Sequence, residues 1–175
     1  MMGIKVCTVG RICYQKNPAL FNSVAELLPD FQFLWIGDGE LRAVLKAPNI
    51  TVLGWMERKN AIMHLMRSDI FLLTSLWEGL PIALLEAMYL KRLCIVSDVV
   101  GNNNVIKDGL NGFICHTADE YANLIKSIIN DDFKFEQITS NARKDIIDNY
   151  NADFLAEKYD AIYKEVIFRK KKSIL

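Results

Sequence analysis

The sequence predicts an α/β protein: a doubly wound parallel sheet of about six strands, with helices on both faces and a helical C-terminal segment. Three observations carry this. Strand-like and helix-like segments alternate almost without interruption through the first two thirds of the chain. The strand-like runs are continuously apolar, as in Asp69-Ile-Phe-Leu-Leu-Thr, which suits strands buried on both faces. From Asp119 onward no strand pattern appears and the periodicity becomes helical.

Taken in order, Ile4 to Val9 is the first predicted strand, and Pro18 to Leu28 a helix opened by proline. Phe31 to Ile36 is the second strand, followed by the turn Gly37-Asp38-Gly39 and a short helix around Glu40 to Leu45. Asn49 to Leu53 is the third strand and Arg58 to Arg67 the next helix. Ile70 to Leu73 is the fourth strand. The run Ile-Ala-Leu-Leu-Glu-Ala-Met is strongly helix-forming, so Pro81 to Leu90 is predicted helical with Pro81 at its first position. Leu93 to Val96 and Gly112 to Cys115 are the fifth and sixth strands. Such alternation implies right-handed βαβ units and a Rossmann-like winding. Tyr121 to Ile129, Phe133 to Asn149 and Phe154 to Phe168 complete the chain as amphipathic helices, with turns at Asn130-Asp131-Asp132 and Tyr150-Asn151. The domain is thus expected over 1–168. The basic residues Arg169-Lys170-Lys171-Lys172 begin a solvated tail over 169–175, with contact to an anionic membrane surface as the alternative.

Composition narrows the function classes. At 175 residues the chain can bury one substantial core. Its 21 Lys and Arg balance 21 Asp and Glu, so no broad electropositive face is available for nucleic acid. The longest apolar runs are strand-length, too short to cross a membrane. The opening Met-Met-Gly-Ile-Lys-Val lacks the basic start and long apolar stretch of a secretory signal, so a cytoplasmic location is expected, with a peripheral position at the inner face of the membrane as the alternative. Cys7, Cys13, Cys94 and Cys115 form no Cys-x-x-Cys pair, and three of them sit in strand-like runs; reduced core residues are expected. His64 and His116 stand apart, and no Asp-x-Asp pair occurs, so neither a metal site nor a cofactor is expected.

Residues 75–89 carry the most chemistry. Glu78 lies in a loop just ahead of a helix, and Glu86 lies inside it. A helix start offers free N–H groups and a partial positive charge, a natural seat for phosphate. Carboxylates beside that seat can accept hydrogen bonds from hydroxyl groups, which suits a ligand that is part phosphate and part sugar. The bland alternative is a solvated loop acid and a surface helix acid. Strand, glycine-containing turn and helix put Glu78 and Gly79 at the carboxyl end of a strand, the edge where open α/β sheets bind ligands. Arg11 and Lys16 follow the first strand and precede a helix, so two cations face the same edge and can offset charge on a diphosphate. Neither a Gly-x-Gly-x-x-Gly fingerprint nor a phosphate-loop Gly-x-x-x-x-Gly-Lys motif is present. A response-regulator-type sheet would need acids at its strand ends, and the first strand ends in Gly-Arg.

An ordered set of segments resembles the C-terminal, donor-binding half of retaining GT-B glycosyltransferases of the large family 4, often called group 1. The set comprises Val-Gly-Arg-Ile-Cys-Tyr-Gln-Lys-Asn-Pro at 9–18, Ile-Gly-Asp-Gly-Glu-Leu-Arg at 36–42 and Val-Leu-Gly-Trp-Met at 52–56. It continues with Ser-Asp-Ile-Phe-Leu-Leu-Thr-Ser at 68–75, Glu-Gly-Leu-Pro-Ile-Ala-Leu-Leu-Glu-Ala-Met at 78–88, Ser-Asp-Val-Val-Gly-Asn at 97–102 and Ile-Lys-Asp-Gly-Leu-Asn-Gly-Phe-Ile at 106–114. The resemblance implies that Arg11 and Lys16 grip the diphosphate of a nucleotide-sugar donor. Glu78, first acid of a Glu-x7-Glu motif, would bind hydroxyls of the transferred sugar, and Glu86, the second, the ribose. Backbone at Gly79, Leu80, Pro81 and Ile82 would contact diphosphate and sugar, while Gly37, Asp38 and Gly54 to Met56 would wall the base pocket.

The likeness departs in two places. Relatives usually carry an acid shortly after the Gly-Asn of 97–102, where this chain has Asn103-Asn104-Val105. The acceptor-binding N-terminal half of the GT-B pattern is also absent. The chain is therefore expected to need that half, or a partner subunit, to reach a glycan or lipid-linked acceptor, and to be inactive in transfer alone. The alternative is an inactive nucleotide-sugar-binding or scaffolding subunit of a polysaccharide-assembly complex.

Overall fold

The computed structural model describes residues 3–151, 156 and 159–164. Its six strands are β1 (Lys5–Val9), β2 (Gln32–Ile36), β3 (Ile50–Gly54), β4 (Ile70–Leu73), β5 (Leu93–Ser97) and β6 (Phe113–Cys115). They pair in parallel in the order β3-β2-β1-β4-β5-β6. The helices are α1 (Pro18–Glu26), α2 (Arg58–Met66), α3 (Ile82–Tyr89), α4 (Val100–Asn103), α5 (Ala118–Ile128) and α6 (Asp132–Asn149).

Strand side chains alternate between two cores because the pleat has a period of two. On one face Val6, Phe33, Trp35, Leu72 and Ile95 pack with Phe21 and Val24 of α1 and with Tyr121 and Ile125 of α5. On the other, Cys7, Phe71, Leu73, Cys94 and Val96 pack with Leu65 of α2, Leu84 and Met88 of α3, and Ala142 and Ile146 of α6. The central strands β4 and β5 are buried along their whole length, which is why their sequences read as unbroken apolar runs.

The chain lays β1, β2 and β3 outward in one direction, then returns to place β4 on the other side of β1. A reversal of this kind opens a crevice at the carboxyl ends of the two strands that flank it. Those ends carry Gly10 to Lys16 after β1 and Thr74 to Pro81 after β4.

Several local expectations change. The helix expected around 40–45 is a single 3-10 turn at Arg42–Val44, since the short span before Pro48 cannot meet the cost of nucleating an α-helix. Pro81 is the N-cap rather than the first helical residue; it is extended (φ −77°, ψ 92°), and its carbonyl accepts from the N–H groups of Leu84 and Leu85. Helix α4 was not foreseen. Of the helix expected over 154–168, residues 156 and 159–164 are helical and the rest lies outside the described residues, as does the basic tail.

Candidate active site at the carboxyl edge of the sheet

Two loops far apart in sequence are stitched together at the β1–β4 seam. The Thr74 hydroxyl donates to the carbonyls of Lys16 (2.9 Å) and Asn17 (3.2 Å). The Leu76 N–H donates to the Gln15 carbonyl at 2.8 Å, and the Gln15 side-chain amide returns a bond to the Trp77 carbonyl at 3.0 Å. Asn17 caps α1 from the left-handed region (φ 48°), its side chain accepting from the Leu20 N–H. The turn Tyr14–Lys16 is thereby held against the loop that carries Glu78.

At this seam Lys16 Nζ lies 2.5 Å from Glu78 Oε1. The Ser75 hydroxyl donates to the same oxygen at 2.6 Å. The side chains are only 19% and 7% exposed, so the pair is withdrawn from solvent and each charge depends on the other. Behind it, the Ser97 hydroxyl donates to the Ser75 carbonyl and the Asn102 side-chain amide donates to Ser97, tying the loop to β5 and α4. Gly101 of α4 meets the Glu78 loop backbone to backbone: a Cβ there would stand 2.3 Å from the Gly79 carbonyl oxygen and 2.4 Å from that of Glu78.

Beside the seam is a cavity of about 870 Å³ at the ends of β1, β2 and β3. Arg11, Gly37, Asp38, Met56, Ile82 and Glu86 all line it, together with Trp55 and Arg58. Gly37 (φ 143°) lets β2 turn against the β1 loop, since a Cβ on it would sit 2.0 Å from the Gly10 carbonyl oxygen. Arg11 reaches Glu40 at 3.1 Å across an exposed surface, a contact of small energetic worth that leaves its guanidinium free to change partners. Trp55 is 82% exposed at the rim. The N–H groups of Ile82 and Ala83, first in α3, have no protein acceptor among the described residues.

The structure thus gathers the expected residues into two adjoining groups: Lys16 with Glu78 at the seam, and Arg11, Gly37, Asp38, Met56, Ile82 and Glu86 around the cavity. Gly79, Leu80 and Pro81 do not line that cavity. Leu80 instead borders a hollow with Asn104, Lys107, Asp145 and Tyr150, and Pro81 is buried. Two participants were missed from the sequence: Ser75 on Glu78 and Arg58 on Glu86. Arg58 meets Glu86 through the packing of α2 against α3, which no spacing rule announces. Ser75 sits three residues before Glu78 in one loop and reaches it through a loop conformation the sequence pattern does not specify. Among the described residues no cluster of three or more His, Cys, Asp or Glu could hold a metal ion. No helix there is long and apolar enough to cross a membrane.

Comparison with known proteins decides the family. The family described as "Glycosyl transferases group 1" matches residues 2–145. The chain belongs to this group 1 glycosyltransferase family. It is 33% identical, over 93% of its own length, to the UDP-Gal:alpha-D-GlcNAc-diphosphoundecaprenol alpha-1,3-galactosyltransferase of Escherichia coli, of which it covers 46%. This group 1 chain spans about half the length, or less, of the curated relatives it matches. In fold it is similar to the C-terminal domain of a group 1 family protein (LpcC) from Francisella tularensis, with a TM-score of 0.72 at 24% identity over 85% of this chain and 87% of that one. A mutant of TarM from S. aureus, solved with fondaparinux, alpha-GlcNAc-glycerol and UDP, shares the fold at a TM-score of 0.82 and 24% identity, over 92% of this chain and 35% of that one.

Proposed function

We propose that this group 1 glycosyltransferase chain is the donor-binding half of a retaining enzyme that transfers a hexosyl group from a nucleotide-diphosphate sugar to a glycan or lipid-linked acceptor. The observation that carries the reading is the convergence at one sheet edge of a paired Lys16–Glu78, a free α3 N-terminus and a cavity lined by Arg11 and Glu86. The similar E. coli enzyme is named for a UDP-galactose donor and a diphosphoundecaprenol-linked acceptor, and TarM was solved with UDP. Both names support a uridine diphosphate sugar here.

In this reading the nucleoside occupies the cavity, with Gly37, Asp38, Trp55 and Met56 around the base and Glu86 toward the ribose. The diphosphate lies at the α3 N-terminus, where Arg11, Lys16 and the N–H groups of Ile82 and Ala83 meet its charge. Glu78 accepts hydrogen bonds from sugar hydroxyls. As the bond from sugar to diphosphate breaks, negative charge grows on the leaving oxygen. That oxygen takes the proton from the acceptor hydroxyl attacking on the same face, which retains configuration. The protein contributes positioning and fixed charge, and the donor needs no bound cation beyond these residues.

The acceptor comes from a second domain or subunit, so transfer by the 175-residue chain alone is expected to be absent. Calorimetric titration of the chain with UDP, GDP and ADP tests donor binding. Saturable binding of one of them, abolished or weakened at least tenfold in Lys16→Ala, is expected, by about the worth of one charged hydrogen bond. Equal or absent binding of all three would overturn the reading.

A further inference from the structure

Both acids of the Glu-x7-Glu motif are held in the same way. Glu78 Oε1 takes Lys16 Nζ and the Ser75 hydroxyl, while its Oε2 accepts from no group among the described residues. Glu86 Oε1 takes two donors of one guanidinium, Arg58 Nε at 2.8 Å and Nη2 at 2.6 Å, and its Oε2 is likewise open. An ionised carboxylate is an acceptor with two oxygens, so in each case one oxygen is committed to the protein and one is left for a ligand hydroxyl. Arg58 opens α2 and Glu86 sits at the middle of α3; both line the large cavity.

The pair is not a stability device. Arg58 is 80% exposed, and an ion pair with one partner so well solvated contributes little to folding. What the guanidinium does supply is orientation. Glu86 is only 18% exposed, and two charged donors converging on one oxygen anchor Oε1 and restrict the rotamers of the side chain before any ligand arrives. A carboxylate already anchored loses less side-chain freedom on binding, and that loss is otherwise a cost charged against affinity.

We infer that Arg58 is a positioning residue for ribose recognition: it fixes Glu86 so that Oε2 is presented to a hydroxyl of the nucleoside sugar. This rests on the reading above, in which Glu86 faces the ribose. Arg58 also offsets the charge of Glu86 near an anionic ligand, so loss of affinity alone does not isolate its role. The informative quantity is the preference for UDP over its 2′,3′-dideoxy analogue, because the two ligands share every charge and differ only in the ribose hydroxyls.

Titration of the 175-residue chain and its Arg58→Ala variant with both ligands is the test. The preference should fall about three- to tenfold in Arg58→Ala, the range expected for freeing one side chain that must be ordered again on binding. Glu86→Gln should lower the preference further, and Arg58→Ala should have no added effect on it in that background. A thermal melt of Arg58→Ala superimposing on that of the parent establishes that the fold is unchanged. An unchanged preference, or losses that add in the double variant, would overturn the inference while leaving donor binding intact. Failure of the unaltered chain to bind any of UDP, GDP and ADP would instead overturn the donor reading, and this inference with it. If GDP or ADP is the one bound, its own 2′,3′-dideoxy analogue takes the place of that of UDP in the comparison.

Discussion

Lys16 and Glu78 show how a charge pair gains importance from burial rather than from proximity alone. Their side chains are largely withdrawn from water, and Ser75 adds a neutral donor to the same oxygen. Removing the cation leaves a carboxylate that must be rehydrated or protonated, so Lys16→Met is expected to destabilise the chain by about 1–3 kcal/mol, read as a lower denaturant midpoint. Lys16→Met combined with Glu78→Gln removes both charges and should recover a large part of that loss. Binding should not recover with it, because neither the diphosphate cation nor the sugar acceptor is restored. At this scale the sequence was legible where residues are chemically unusual for their place, such as two cations after the first strand and an acid at a strand's carboxyl end. It was silent about Arg58, because a surface arginine at a helix start has nothing in its neighbourhood along the chain to distinguish it. Its partner lies 28 residues away on another helix.

Elements were legible in proportion to their hydrophobic signal. All six strands and the helices α1, α2, α3, α5 and α6 follow from apolar runs and helical periodicity, with ends displaced by a few residues, as at Pro81. Helix α4 was invisible because Val-Gly-Asn-Asn has poor helix propensity. It forms through tertiary contacts: Asn102 is fully buried and bonded to Ser97, and Gly101 abuts the loop of Glu78. That dependence gives the element a measurable role. Gly101→Ala forces a methyl group against two carbonyl oxygens of the Glu78 loop, so backbone must move. A destabilisation of about 1–3 kcal/mol is expected, the usual cost of overpacking. Donor affinity measured by titration should also drop, whereas an alanine at exposed Val100 should change neither.

For the whole molecule the two cores set the response to pH and to thiol reagents. Burial pushes the Cys7 and Cys115 thiols up to about 12, and drives Cys94 well above its ordinary value of 9.0. Unfolded thiols therefore ionise first as pH rises, and the native state holds more protons from about pH 9 to 12. This stabilisation is complete below about pH 9 and is lost progressively above it, with buried Tyr121, whose phenol is also shifted upward by burial, adding to the decline. A denaturant midpoint flat through neutral pH and falling above about pH 9, with a shallower fall in Cys115→Ala, is the expected profile. Of the four cysteines, only Cys13 is partly exposed. Maleimide at neutral pH should modify Cys13 alone in the folded chain, and all four after denaturation; labelling of Cys7 or Cys94 under native conditions would contradict the buried cores.

The stitching of the β1 loop to the β4 loop has an optical consequence. Tyr14 and Trp77 come from opposite sides of that join, and their rings lie 5.9 Å apart. The other indoles are Trp35, sealed in the interior, and Trp55, out at the cavity mouth. With both replaced by phenylalanine, emission from the remaining indole becomes a native gauge of whether the two halves of the join are closed, readable in milliseconds during refolding and without any attached dye.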